Sequence, residues 1–312
     1  MIEVLVRRLL LSIPVLLGVI FFGFMLLQLV PGDPAVVMAG PSAPPDVVEQ
    51  IRRDMGLDQS VLVQFHAYFS NVISLDLGRS MISNKLVTEE LLSAVGPTVE
   101  LMVACLIWSV PLGIAMGTLA ATRRGTWIDR VVMAFSVAGV SLPIFFICLL
   151  LIQLFGVHLK WLPFLGWGGP LWTVNGLRHI ALPALSLGLL FIGPVARMTR
   201  SSVLEVLKLD HVRTARAKGL GETRVILRHG LRNALIPVVT LIGLQSGYLL
   251  GGAVVTETIF TWPGVGRLAV GSILSSDFPL AQGCILVMAL AFIIINLIVD
   301  ILYGLLDPRV QK

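Results

Sequence analysis

Six stretches of this chain carry no Asp, Glu, Lys or Arg: Leu9 to Val30, Leu101 to Ala121, Val131 to Val157, Ile180 to Ala196, Leu235 to Thr256 and Leu280 to Val299. At a helical rise of about 1.5 Å per residue, about 20 residues cross a hydrocarbon core, so each stretch predicts a transmembrane helix. The fourth is the shortest, at 17 residues, and contains Pro183 and Pro194, which predicts a kink or a helix that borrows flanking residues. The first follows Arg7 and Arg8 yet runs for 22 residues with no small-residue cleavage site, which favours a retained helix over a removable signal. Composition points the same way. With 56% hydrophobic and 13% charged residues and a mean hydropathy of +0.91, a soluble globule is excluded. The expected fold is an all-α integral membrane protein with six transmembrane helices.

The connecting segments fix an expected orientation. Placing residues 1–8, 122–130, 197–234 and 300–312 on one side gathers 16 of the 23 Lys and Arg there, although the opposite segments are longer. Basic residues concentrate in the cytoplasm, so both termini are expected inside, in a multi-pass protein of the cytoplasmic (inner) membrane. The formal charge of +5 is also localised: residues 197–234 hold nine basic and three acidic residues, which leaves no basic surface for nucleic acid elsewhere. Cys105, Cys148 and Cys284 all fall in apolar stretches without metal-ligand spacing and read as small core hydrophobes.

Two polar segments are long enough to fold. The external one, residues 31–100, opens with the turn Pro31-Gly32-Asp33-Pro34. It then predicts a helix capped by Asp46, bearing Val47, Val48, Ile51 and Met55 and stopped by Gly56. A second, capped by Asp58 or Ser60, places Val61, Phe65, Tyr68, Phe69 and Val72 on one face, while Arg52, Arg53 and Gln64 are left for a hydrated surface. This divides the chain into residues 1–100, the first helix plus the external helical segment, and residues 101–312, a five-helix core.

The other segment lies between the fourth and fifth stretches. Asp210 can cap a short helix with Val212 and Ala215 on one face, Lys218 in its last turn and Gly219 as a left-handed stop. A second helix is expected from about Glu222 towards Asn233, with Pro237 at the entrance to the fifth crossing. The result is a helical hairpin whose Ala and Gly positions let another protein approach closely.

Arg213-Thr214-Ala215-Arg216-Ala217-Lys218-Gly219, followed by His229, Leu231, Asn233 and Pro237, resembles the Glu-Ala-Ala loop of permease subunits in binding-protein-dependent ABC importers. Arg213 stands where many such loops have Glu and Arg232 where many have Pro, departures shared with the peptide branch of that family. Leu29-Val30-Pro31-Gly32-Asp33-Pro34, Gly56-Leu57-Asp58-Gln59, Asp76-Leu77-Gly78, Trp161-Leu162-Pro163, Leu182-Pro183-Ala184, Trp262-Pro263-Gly264-Val265-Gly266-Arg267 and Leu306-Asp307-Pro308-Arg309 extend the resemblance along nearly the whole chain. Together they resemble the first permease of dipeptide, oligopeptide and glutathione importers. His229 to Thr240 with Gly251-Gly252-Ala253-Val254-Val255 are most similar to the glutathione-importing kind, and nickel permeases share much of the pattern.

That resemblance implies a transmembrane subunit that moves small peptides, paired with a second homologous permease subunit, two ATP-binding subunits and an extracytoplasmic solute-binding protein. It also implies that Asp210, Arg213, Thr214, Ala215, Arg216, Ala217, Lys218, Gly219 and Leu220 form the coupling helix that sits in an ATPase cleft. No cofactor is expected in this chain, because it contains no G-x-x-x-x-G-K-[ST] loop; ATP and Mg would be held by the partner ATPases, and the chain itself is not expected to be an enzyme. A nickel-importing or exporting member of the same family is the nearest alternative.

Two rivals from other classes find less support. An ion-coupled secondary transporter commonly needs ionisable groups or broken helices at membrane depth, and the apolar stretches hold only uncharged polar groups. A membrane enzyme would need an H-E-x-x-H or G-x-S-x-G arrangement, which is lacking, and the five histidines are dispersed through connecting segments. Ser136, Ser141, Gln153, Gln245, Ser246 and Asn296 are candidates to line a solute path, since a hydrophilic peptide needs hydrogen-bonding groups where lipid offers none. The plainer use of such residues is bonding to their own helix or to a neighbouring one. Glu257 and Asp300, at helix ends, are expected at the membrane interface.

Overall fold

The structure, a computed structural model, describes residues 2–29, 33–40 and 42–306, and all regular elements among them are helical apart from an isolated bridge between Arg79 and Leu86. The first helix, α1, spans Ile2–Leu29. Three short helices follow, α2 (Pro34–Ala39), α3 (Pro45–Asp54) and α4 (Val61–Ile73), before the long α5 (Val87–Thr122). Then come α6 (Trp127–Ser141), α7 (Ile144–Leu151) running into a π-helical turn Ile152–His158, and α8 (Val174–Val206). The chain continues through α9 (Asp210–Ala217), α10 (Glu222–Arg224), a second π-helical turn Val225–Leu231, α11 (Arg232–Ile259), α12 (Val265–Leu274) and α13 (Phe278–Leu306).

Among the described residues four helices are long and apolar enough to cross a membrane: Val87–Thr122, Val174–Val206, Glu222–Ile259 and Phe278–Val299. The third apolar stretch is not the single helix expected. It breaks between Ser141 and Ile144, and its halves Trp127–Gly139 and Ile144–His158 are bent by 106°; counted as one crossing, they make a fifth. Pro143 explains the break. It lacks an N–H, and it drives Leu142 to an extended conformation (φ −87°, ψ 131°) that no helix can pass through. In α8, by contrast, Pro183 and Pro194 are both absorbed within 33 residues of continuous helix. Pro31, Gly32 and the motif Asp307-Pro308-Arg309 lie outside the described residues.

The chain forms two compact units. One comprises Ile2–Thr98 with Pro263–Ile293, so the α12 region groups with the N-terminal segment and not with the C-terminal core in which chain order had placed it. Here Asp33 caps α2 by accepting from the Ala35 amide at 3.0 Å, and the expected turn therefore continues into a helix. Helix α3 starts one residue earlier than its anticipated cap: Pro44 is the N-cap, Pro45 opens the helix and Asp46 sits in the first turn. Gly56 takes φ +66° as its stop. On α4, Phe65, Tyr68, Phe69 and Val72 do form the packed face, against Ile20 and Leu286, whereas Val61 is exposed. Arg52 is not left for a soluble partner. It bonds Asp33 and Glu49, tying α3 to α2, and Gln64 donates to the carbonyls of Leu57 and Gln59.

The other unit comprises Val99–Trp262 with the chain from Ile294 onward. Its organising element is α8, with 67% of its most apolar window buried. Apolar surface gains little by leaving lipid for a helix neighbour, so close backbone approach must supply the attraction. Small residues do this. A Cβ on Gly117 of α5 would stand 2.4 Å from the Ala196 carbonyl, one on Gly193 would stand 2.4 Å from the Ser136 carbonyl of α6, and one on Gly188 would overlap the Trp108 indole. That indole donates to the Ala184 carbonyl at 3.1 Å. Cys105 and Cys148 are buried in this unit and Cys284 in the other, as small apolar side chains.

Candidate functional site

The segment between α8 and α11 presents a short helix on a fixed base. Val212 and Ala215, three residues apart, turn inward and meet Val225, with Val206, Leu207 and Leu220 packed around them. Behind this cluster a second one joins Val203 of α8 and Ala234 of α11 to Ala121 of α5. The helix end is closed by paired bonds, Gly219 N–H to the Arg216 carbonyl at 2.9 Å and Leu220 N–H to the Ala215 carbonyl at 3.4 Å. This is a Schellman stop, and it requires the left-handed φ of +77° that Gly219 adopts. Among the described residues, apart from its two chain neighbours, nothing lies within 4 Å of where a Gly219 Cβ would be.

The outward face carries the polar residues. Arg216 makes a two-bond contact with Glu222, at 3.1 Å and 2.6 Å, which pins the helix to the start of the next and raises the guanidinium's affinity for its proton. Asp210 and Arg213 face each other at 3.6 Å in full solvent, an arrangement worth little to stability. Asp210 is not the cap; Leu209 is, with no side-chain bond, and Asp210 occupies the first turn, where a carboxylate still favours the helix dipole. Thr214 bonds back to the Asp210 carbonyl at 2.9 Å, and Ala217 and Lys218 are exposed. His211 Nε2 lies 3.3 Å from the Asn233 amide and 3.4 Å from the His229 carbonyl, linking the helix to the motif residues downstream. The second arm is not a separate hairpin helix. It runs from Glu222 through the π turn and past Pro237 to Ile259, so the base of α9 is the start of a membrane-length helix.

A clamp joins α6 to α8. Asp129 at the start of α6 accepts from Arg200 of α8 through both oxygens, at 2.6 Å and 2.8 Å, and also from the Gly125 amide at 2.9 Å. Nothing in the periodicity pointed to this pair. The available signal was that Asp129 is the one carboxylate in a connection otherwise holding Arg123, Arg124 and Arg130.

A sequence model of the family described as "Binding-protein-dependent transport system inner membrane component" matches residues 109–312, and the model of its N-terminal part matches residues 1–101. The chain belongs to this family. As a permease it is 45% identical over 311 residues to the glutathione transport system permease protein GsiC of Escherichia coli (strain K12), covering 100% of this chain and 99% of that one. The protein of the same name from Salmonella typhi is 46% identical over the same length. A chain of the MetNI methionine ABC transporter, solved in inward facing conformations, aligns over 71% of this chain and 94% of its own with a TM-score of 0.53 at 17% identity, and so shares the fold.

The polar residues within the helices of the permease are dispersed. Ser136 is fully buried at the α6–α8 crossing and donates to its own helix at the Val132 carbonyl, 2.8 Å away. Ser141 and Ser246 do the same, to Val137 at 3.0 Å and Ile242 at 2.7 Å. Gln153 is exposed and pairs with His158 at 3.3 Å, within the same π-helical turn. Gln245 and Asn296 are half-buried on α11 and α13. Glu257 stands two residues from the end of α11, as expected of a helix end, and its side chain is fully buried by protein, which its position along the chain does not reveal.

Proposed function

We propose that this permease is the first membrane subunit of an importer for small peptides, with glutathione as its foremost substrate, working beside a second, homologous permease. The observation that carries the reading is 45% identity over 311 residues to a glutathione transport permease, across 100% of this chain and 99% of that one. In this reading α1, the four long helices and the bent α6–α7 pair make six crossings, with both termini and the Asp210–Leu220 helix in the cytoplasm and α2 to α4 outside.

The coupling helix would work as a rigid lever. Its inward residues Val212 and Ala215 are locked to the end of α8 and the base of α11, while Arg213, Thr214, Ala217, Lys218 and Gly219 are turned outward, available to an ATPase cleft. A push on the outward face then moves two membrane helices together instead of bending a loop. ATP and Mg are assigned to the partner ATPases, and no cofactor is assigned to this chain. Ser136, Ser141 and Ser246 have carbonyl partners on their own helices, and Gln245 and Asn296 stay candidates for the solute path as half-buried polar side chains of α11 and α13.

The test is reconstitution of the permease with its partner subunits and binding protein in vesicles. ATP hydrolysis and uptake stimulated by glutathione above dipeptides and nickel is the expected result; stimulation by nickel or a dipeptide but not by glutathione would refute the substrate assignment. Orientation is tested separately with Ser60→Cys. An impermeant thiol reagent should label it in intact spheroplasts, and labelling only after the membrane is breached would reverse the topology.

A further inference from the structure

The loop joining the first π-helical turn to α8 is built around a cavity of about 430 Å³. Its walls are fixed by close packing. Gly156 leaves the space that the Phe164 ring occupies, a Cβ there being 2.5 Å from it, and Gly176 lies against the Pro170 carbonyl, 2.2 Å from where a Cβ would be. Asn175 donates to the Gly168 carbonyl at 2.8 Å, Thr173 caps α8 through the Gly176 amide at 3.0 Å, and the rings of Phe155 and Trp161 lie 5.8 Å apart. Such a loop holds its shape before any ligand arrives.

Two cations line this cavity and carboxylates do not: Lys160 and Arg178 face it with His179 and Asn175, and no Asp or Glu does. Lys160 has no ion-pair partner among the described residues, and Arg178 makes one long bond, to the Trp161 carbonyl at 3.4 Å. His179 Nδ1 donates to the Asn175 carbonyl at 2.9 Å. The acid of this unit that comes nearest by contact, Glu100, bonds the Trp167 indole at 3.5 Å and is not part of the lining. Lys160 and Arg178 are the two Lys or Arg residues of segment 158–179, on the side poorer in basic residues, and both converge here.

The position matters as much as the charge. The cavity sits between the apolar stretches ending at Val157 and beginning at Ile180; Trp161 in its wall is 61% exposed, and Trp172 of the same connecting segment is 83% exposed. Exposed tryptophans at helix ends mark the headgroup layer. In the π-helical turn that supplies Gly156 to the cavity wall, the next residue, Val157, is 43% exposed.

We propose that this cavity binds the phosphodiester of an anionic phospholipid, with Lys160 and Arg178 as its charge partners and an acyl chain lying over Trp161 and Val157. A free phosphate would satisfy the cations but would leave the exposed Trp161 ring of the cavity wall uncovered, which favours the lipid. The assignment concerns the membrane boundary of this chain and is independent of the solute transported.

The assembled complex, purified in detergent and exposed to phosphatidylglycerol or phosphatidylcholine, supplies the test through native mass spectrometry. The wild type should retain phosphatidylglycerol preferentially, and excess inorganic phosphate should not displace it. Replacing Lys160→Gln and Arg178→Gln should each lower that preference by on the order of fivefold, while the charge-conserving pair Lys160→Arg and Arg178→Lys should keep it. If a variant fails to assemble, the remaining single variant and the charge-conserving pair still decide. An unchanged preference in the neutral variants, or displacement of the lipid by inorganic phosphate alone, would overturn the proposal.

Discussion

Neutralising Asp129 tests whether the start of α6 is held rigidly to α8. The carboxylate is 7% exposed and Arg200 26%, with two short bonds between them and a third to the Gly125 amide. For charge centres about 4 Å apart at an effective dielectric of about 20, the attraction is about 4 kcal/mol before desolvation is subtracted. Breaking a fully buried pair costs about 3–5 kcal/mol, chiefly because the surviving charge is stranded. Arg200 retains some solvent, so Asp129→Asn should cost about 2–3 kcal/mol while still accepting from Gly125. The single variants Asp129→Asn and Arg200→Gln and the double variant form a cycle that cancels effects unrelated to the pair. The assay is reversible SDS unfolding of the permease in mixed micelles, read by tryptophan fluorescence. A coupling energy of about 1–2 kcal/mol is expected, with the double variant less destabilised than the sum of the singles. Additive losses would show that the bonds contribute nothing net and would refute the rigid-clamp reasoning.

Three further outcomes are expected. Gly219→Val should cost about 1–2 kcal/mol through its left-handed backbone alone, since no neighbour crowds its Cβ in this chain; co-purification with the ATPases and ATP-driven uptake should fall, and normal uptake would remove the residue from the coupling surface. Asp33 is held below its ordinary value of 3.8: partial burial pushes the other way, but Arg52 and the Ala35 amide outweigh it. The contribution of this pair is therefore present in full above about pH 4 and lost as pH falls through the lower folded value, and its partial exposure limits it to under about 1 kcal/mol. Spin labels at Met38 and Gln50 should move apart on acidification in the wild type and be apart at every pH in Asp33→Asn; a constant distance would contradict the linkage. Gly117→Val should drive α5 from α8, because its Cβ would meet the Ala196 carbonyl at 2.4 Å and Thr199 Cβ at 2.6 Å. Assembly should fail in that variant, and a stable complex would show that the crossing relaxes more easily than its geometry implies.

Membrane residence was determined by the sequence alone, because transfer to lipid is read residue by residue from hydropathy, and so was the local character of α9. Val212, Ala215 and Gly219 sit where a 3.6-residue period and a left-handed stop put them, since both are short-range properties of the backbone. Of the two caps expected for α4, Asp58 or Ser60, Ser60 takes the N-cap position, though without a side-chain bond. What the sequence left open depends on contacts between distant residues. Pro143 broke an apolar stretch while Pro183 and Pro194 did not, and hydropathy, which scores the three alike, does not tell them apart. Asp129 and Arg200 are 71 positions apart, Glu257 is buried by segments that its own helix does not specify, and Pro263–Ile293 joins the N-terminal segment. Arg52 looked available to a partner until Asp33 was folded onto it. A periodicity says which face of a helix is apolar; which neighbour covers that face, and which charge meets which, is fixed only when the helices are assembled in three dimensions.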